Sequence, residues 1–107
     1  MLFRSNKMMK DIGKLCGESM DRVIIKEDKD RRGREINEVA KLIEEGVNES
    51  NCKDCRVILN EVEALRKALS SSIIGDTIIV FYEELEPLVE LIKEYKHEED
   101  NLNLANL

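Results

Sequence analysis

The chain has 107 residues, carries a formal net charge of −6, and is 42% hydrophobic but only 4% aromatic. That length suffices for one small domain whose core must be built from Ile, Leu and Val. The acidic balance argues against a nucleic-acid-binding role, which relies on a basic face, and no apolar run reaches the ~20 residues that span a bilayer.

Met1–Ser5 read as a non-native leader and are set apart from the fold. On that reading the natural protein is longer at its start. No secretory signal is visible, so the expected location is cytoplasmic. Asn6–Met20 carry Met9, Ile12, Leu15 and Cys16 at helical spacing. Gly13 and Gly17 weaken this helix by ~1 kcal/mol each relative to alanine, but permit close packing on a sheet. The first strand follows at Arg22–Lys26, where the β-branched run Val23-Ile24-Ile25 suits a parallel strand buried on both faces.

Glu35–Val47 is the clearest helix, with Ile36, Val39, Ala40, Ile43 and Val47 on one stripe. Gly46–Asn51 reads as a loop and Arg56–Leu59 as a second strand. Asn60 then suits the N-cap of a helix to Leu69 that carries Val62 and Leu65. Ser70–Asp76 breaks the pattern, with Ile73 and Ile74 expected to pack against the sheet. Thr77–Tyr82 is the third strand. Glu83–Tyr95 is the last helix, with Pro87 in its first turn and Leu88, Leu91, Ile92 and Tyr95 inward. The Asn-rich stretch Lys96–Leu107 reads as a fraying polar tail.

The alternating order predicts an α/β fold: a three-layer sandwich around a small, mainly parallel sheet, one domain over 6–95. Three strands make a thin sheet, and a chain of this type seldom opens on a helix. Both points fit a missing first strand.

Between the first strand and the clearest helix lies Glu27–Glu38, which holds three arginines within four positions although the chain is acidic. In open α/β sheets, ligands bind outside the carboxyl ends of the strands, where helix N-termini also favour anions. Arg31, Arg32 and Arg34 at such a place suit a phosphate or a carboxylate, which a guanidinium holds bidentately. The plainer alternative is a solvated loop in which Asp28, Asp30 and Glu35 neutralise the arginines.

Other chemistry is thinly equipped. There is no phosphate loop of the G-x-x-x-x-G-K-[ST] type and no G-x-G-x-x-G around Gly33. His97 is the single histidine and falls in the tail, which leaves no Ser-His-Asp arrangement. Cys52 and Cys55 form one C-x-x-C, but a zinc site needs two further ligands and only Cys16 and His97 remain. A redox pair belongs at a strand-to-helix turn, whereas this pair precedes a strand. No metal is expected. A ligand-gripping or lid domain suits the chain better than an independent enzyme.

The run from Arg22 to Glu35, with Asn37-Glu38 after it, resembles the C-terminal, Mur-ligase-type domain of cyanophycin synthetase. That family has the same strand entering an acidic-x-Asp-x-Arg-Gly-Arg turn, then a glutamate that opens a helix. Val57–Glu61 with Glu63–Leu69, and Gly75–Pro87 with its Tyr-Glu-x-Leu-Glu-Pro block, resemble the following strands and helices. Family members usually have glycine where Asn37 stands, and asparagine also tolerates unusual backbone angles. The resemblance covers about Asn6 to Tyr95, and for that stretch it implies a Rossmann-like Mur-ligase-type domain.

The resemblance implies one part of an ATP-dependent ligase that joins arginine to the side chains of a poly-aspartate backbone. ATP and Mg²⁺ then belong to the full-length enzyme, with neither bound by this chain alone. The implied partners are the ATPase and ATP-grasp domains of the same polypeptide, in a homo-oligomeric parent. The implied substrate-binding positions are Asp28, Asp30, Arg32, Gly33, Arg34 and Glu38, to which the arginine cluster adds Arg31, with no catalytic residue and no metal ligand. The acidic residues would meet the cationic arginine substrate, and Arg32 or Arg34 a carboxylate or phosphate. Two other readings compete: a free-standing α/β module that binds a protein along a sheet edge, and a receiver-like domain whose acidic cluster is out of order here.

Overall fold

The computed structural model describes residues 5–98 and 104–106. Among them are four helices and four three-residue strands, in the order α1 Asn6–Ser19, β1 Val23–Ile25, α2 Glu38–Asn48, β2 Cys55–Val57, α3 Glu61–Ser71, β3 Ile78–Val80, α4 Leu85–Glu98 and β4 Leu104–Asn106. The α/β class read from the sequence is present. The single three-stranded sheet is not: the strands form two two-stranded parallel sheets, β1 with β2 and β3 with β4. The residues divide accordingly into two compact units, between Asn60 and Glu61.

In the first unit, β1 and β2 pair in the register Val23↔Cys55, Ile24↔Arg56 and Ile25↔Val57. The ladder continues past the strand ends, because the Ile58 amide donates to the Ile25 carbonyl at 2.8 Å and the Glu27 amide to the Leu59 carbonyl at 3.0 Å. Ile25 from the sheet and Ala40 and Val47 from α2 are buried together, with Val23, Ile43 and Val57 packed around them. Ser5, grouped with the leader in the sequence reading, caps α1: its hydroxyl accepts from the Met8 amide at 3.1 Å.

The buried stripe of α1 is Met9, Gly13 and Gly17, and it lies on α2 rather than on the sheet. A Cβ built on Gly13 would land on the Ile43 carbonyl, one on Gly46 would land on the Lys10 carbonyl, and one on Gly17 would strike the Ser50 hydroxyl. The expectation that small residues serve close packing is met, but the partner is a helix. Leu15 is exposed, being two residues (~200°) from the centre of that stripe. Ile36 is also exposed, because α2 begins at Glu38 and Ile36 belongs to the preceding turn.

The second unit is held by Leu65 and Leu69 of α3 with Leu88 and Leu91 of α4, all buried. Val62, Ile78, Val80, Ile92 and Tyr95 pack against them, as their spacing predicts. Ile73 and Ile74 do not join: they are 72% and 73% exposed. The cause is the turn Ile73–Asp76, in which the Asp76 amide donates back to the Ile73 carbonyl and Gly75 has φ +100°. That geometry is a type II turn, and it carries both isoleucines outward. The Glu61 carboxylate accepts the Glu83 and Glu84 amides at 2.7 and 3.0 Å, just ahead of α4. The α4 helix runs to Glu98, and β4 falls in the stretch read as a fraying tail; the rest of that expectation, and Met1 to Arg4, lie outside the described residues. No described helix is long and apolar enough to cross a membrane.

Candidate functional site

The segment from Glu27 to Glu38 leaves the carboxyl end of β1 and enters the N-terminus of α2. Lys26 Nζ pairs with Asp28 Oδ1 at 2.6 Å, which places Asp28 on the strand side of the loop. Asp30 Oδ1 accepts the Arg32 amide at 3.1 Å, a side-chain-closed turn that aspartate favours. The Arg34 amide donates to the Arg31 carbonyl at 3.0 Å, with Arg32 at φ +52° and Gly33 at φ +84°. Two successive positive φ values mark a type I′ turn. Glycine adopts this freely, whereas arginine does so at a cost of ~1–2 kcal/mol.

A second turn follows at once. The Glu38 amide donates to the Glu35 carbonyl at 3.1 Å, and Asn37 has φ +72°, ψ 0°, the third position of a type II turn. This is a position for glycine or asparagine, so the difference at residue 37 noted from the sequence is conformationally neutral in kind.

Charge pairing then sorts the seven singled-out residues. Arg34 Nη1 donates to Glu38 Oε2 at 2.6 Å and to Asn6 Oδ1 at 3.0 Å, and its side chain is only 19% exposed. Glu38 Oε1 also accepts the Glu35 amide at 3.2 Å. Arg34 and Glu38 are therefore an internal brace that ties the turn to the starts of α1 and α2. Arg31, Arg32 and Gly33 form the exposed tip, and Asp30 lies beneath it as the acceptor that shapes it. Asp28 is turned toward Lys26 instead.

Glu27 is the residue that the sequence reading passed over. Its Oε1 accepts the Asn37 amide at 2.9 Å and its Oε2 the Ala40 amide at 3.3 Å. The Asn37 side chain makes no cap bond, so Glu27 supplies the acceptor that the first turn of α2 needs. The position at this helix N-terminus where an anionic ligand was anticipated is held by the chain's own carboxylate. The available signal was a carboxylate directly after the strand, ahead of a helix whose own cap residue is committed to a turn.

The three cysteines are free. Burial pushes the Cys16 thiol up, and burial, helped by Glu44, Cys52 and Asp54, pushes the Cys55 thiol up. Reactive thiols are shifted the opposite way. With less thiolate present, Cys16 and Cys55 should react with iodoacetamide at pH 8 more slowly in the native chain than in urea; equal rates would exclude the shift. The sign for stability follows: the folded chain holds these protons more tightly, so their contribution is complete below the ordinary thiol range. It is lost as pH rises through the folded values. Among the described residues no group of three His, Cys, Asp or Glu side chains could hold a metal ion. An open hollow between the end of α1 and Asn51–Lys53 shares no residue with the turn.

Comparison with known proteins gives one consistent likeness. The chain is 39% identical over 87 residues to the cyanophycin synthetase of Synechocystis sp., a match that takes in 80% of this chain and 10% of that protein. It is 37% identical over 82 residues to the cyanophycin synthetase of Crocosphaera subtropica, with 76% and 9% covered, and 35% identical over 85 residues to that of Geminocystis herdmanii, with 78% and 10% covered. The chain thus spans about a tenth of the length of the curated relatives it matches. No family model matches it, and no solved structure does.

Proposed function

We propose that this chain is a segment of an ATP-dependent acid–amino-acid ligase related to cyanophycin synthetase. It corresponds on this reading to the Mur-ligase-type C-terminal domain, which closes over a central ATPase domain and contributes substrate contacts. The observation that carries the reading, beside the likeness itself, is the tip Arg31–Arg32–Gly33 beyond the carboxyl end of a parallel strand. Arginine at positive φ is an expensive way to make a turn that glycine makes freely, and such backbone strain gathers at ligand sites.

In the reaction of the parent, the γ-phosphoryl group of ATP passes to a side-chain carboxylate and leaves ADP and an acyl phosphate. The α-amine of arginine attacks the acyl carbon, phosphate departs, the amine proton is lost and an amide remains. ATP arrives with Mg²⁺, both held by the other domains. This chain's share is positioning. The guanidinium groups of Arg31 and Arg32 meet the carboxylate of the incoming amino acid or a phosphate oxygen. Asp30 supplies negative charge toward its cationic side chain, Asp28 being committed to Lys26, and Arg34 with Glu38 keeps the tip in place. One wall of an active site does not complete it, so the chain alone should not hydrolyse ATP or join amino acids.

The test is to graft residues 6–95 in place of the matching segment of the Synechocystis enzyme and to assay arginine incorporation. Arg32→Ala and Asp30→Ala in an active graft should raise KM for arginine or ATP about tenfold, the worth of one charge-assisted hydrogen bond. Kinetics that stay at the parental values in both variants would sink the reading.

A further inference from the structure

Glu27 has a role that the ligand-gripping reading does not require. Its backbone is fixed to the sheet by the hydrogen bond that its amide donates to the Leu59 carbonyl, 3.0 Å. Its carboxylate is fixed to α2 by the Asn37 and Ala40 amides, 2.9 and 3.3 Å. One residue thus joins the end of the strand to the start of the helix, on both sides of the loop that carries the arginines. Within the loop the bonds between Asp30 and Arg32 and between Arg31 and Arg34 set its local shape. Its two ends are anchored by Arg34 with Glu38 and Asn6 on one side and by the Glu27 bridge on the other.

We infer that Glu27 is the positioning residue of the arginine turn: its carboxylate locks the loop closed between β1 and α2, and so sets where the tip stands. The inference rests on the reading of that turn as a ligand-gripping element. It assigns Glu27 no contact with substrate. Because the carboxylate fills the anion position at the start of α2, its removal should open that position to a small anion from solution.

The experiment uses the 107-residue chain, with Glu27→Ala and Glu27→Gln, read by amide hydrogen exchange and ¹⁵N relaxation. In Glu27→Ala, exchange at the Asn37 and Ala40 amides should rise about tenfold or more, as expected for two lost bonds to a charged acceptor. The Arg31–Arg34 amides should gain ps–ns motion, while Gly13 and Gly46 in the α1–α2 crossing keep their protection. Sodium acetate should restore part of the protection at Asn37 and Ala40, and Glu27→Gln, which retains one acceptor, should fall between. Unchanged mobility at Arg31–Arg34 while Asn37 and Ala40 open would reduce Glu27 to a helix cap and overturn the inference. If Glu27→Ala loses protection throughout, the same readouts in Glu27→Gln decide. The grafted enzyme separates the two readings. KM raised by Arg32→Ala but not by Glu27→Ala removes the positioning role alone; KM unmoved by Arg32→Ala removes the ligand site beneath it.

Discussion

Gly46→Ala should cost the first unit about 3 kcal/mol, a large share of the roughly 5–15 kcal/mol that keeps a typical domain folded. In an isolated helix the change would be favourable by ~1 kcal/mol. Here the new methyl group would land on the Lys10 carbonyl and come within 2.8 Å of the Lys14 amide nitrogen. Both are backbone atoms within a helix, so no side chain can swing aside. The same contact exists in reverse, where Gly13 faces the Ile43 carbonyl, and Gly13→Ala should cost a similar amount. Urea melts followed by far-UV circular dichroism would measure both. A midpoint equal to or above the parental one would mean that α1 and α2 are not held at this distance. Gly33→Ala is the useful contrast: its Cβ would meet nothing within 4 Å, so its cost is limited to the backbone angle.

Arg32→Gly should move stability and substrate affinity in opposite directions. Arginine at φ +52° carries ~1–2 kcal/mol of backbone strain, which glycine removes. Glycine's greater freedom in the unfolded chain returns ~0.5–1 kcal/mol of that. The backbone contribution alone therefore favours the glycine chain by about 0.5–1 kcal/mol. In the grafted ligase the same change deletes a guanidinium at the exposed tip, and KM for arginine or ATP should rise about tenfold. The turn itself is preserved, so loss of affinity could not be blamed on a broken loop. A variant both more stable and fully active would show that Arg32 is an ordinary surface residue in an awkward conformation.

Much of this architecture could be read from periodicity. The runs Val23–Ile25 and Ile78–Val80 are strands, and the spacing of Val62, Leu65, Leu69, Leu88 and Leu91 marked residues that are buried or packed together, though not that they form a core of their own. Periodicity could not say which surface a glycine stripe would meet, because Gly13 and Gly17 suit a sheet as well as a helix. Ile36 fits the stripe of α2 by spacing, but the left-handed Asn37 intervenes and starts the helix two residues later. Ile73 and Ile74 were misjudged for a related reason, since Gly75 decides the direction of the turn and hydropathy does not. The strand at Leu104–Asn106 sits in a stretch whose apolar and polar residues partly alternate, a signal outweighed by its asparagines. Of the candidate site, residue types located the arginine turn, but only three-dimensional pairing could divide it. Arg34 and Glu38 are four apart in sequence and form a pair at 2.6 Å, whereas Glu27 acts ten and thirteen residues away.

The open space around Gly33 also bears on how this segment could diversify. A loop whose ends are fixed and which has open space beside Gly33 can change length there with little penalty, since each doubling costs only ~0.6 kcal/mol. Extra residues inserted at Gly33 would leave the strand, the helix and the Glu27 bridge in register. On the proposed ligand-gripping reading, a library of insertions at this one turn is a practical starting point for redirecting specificity.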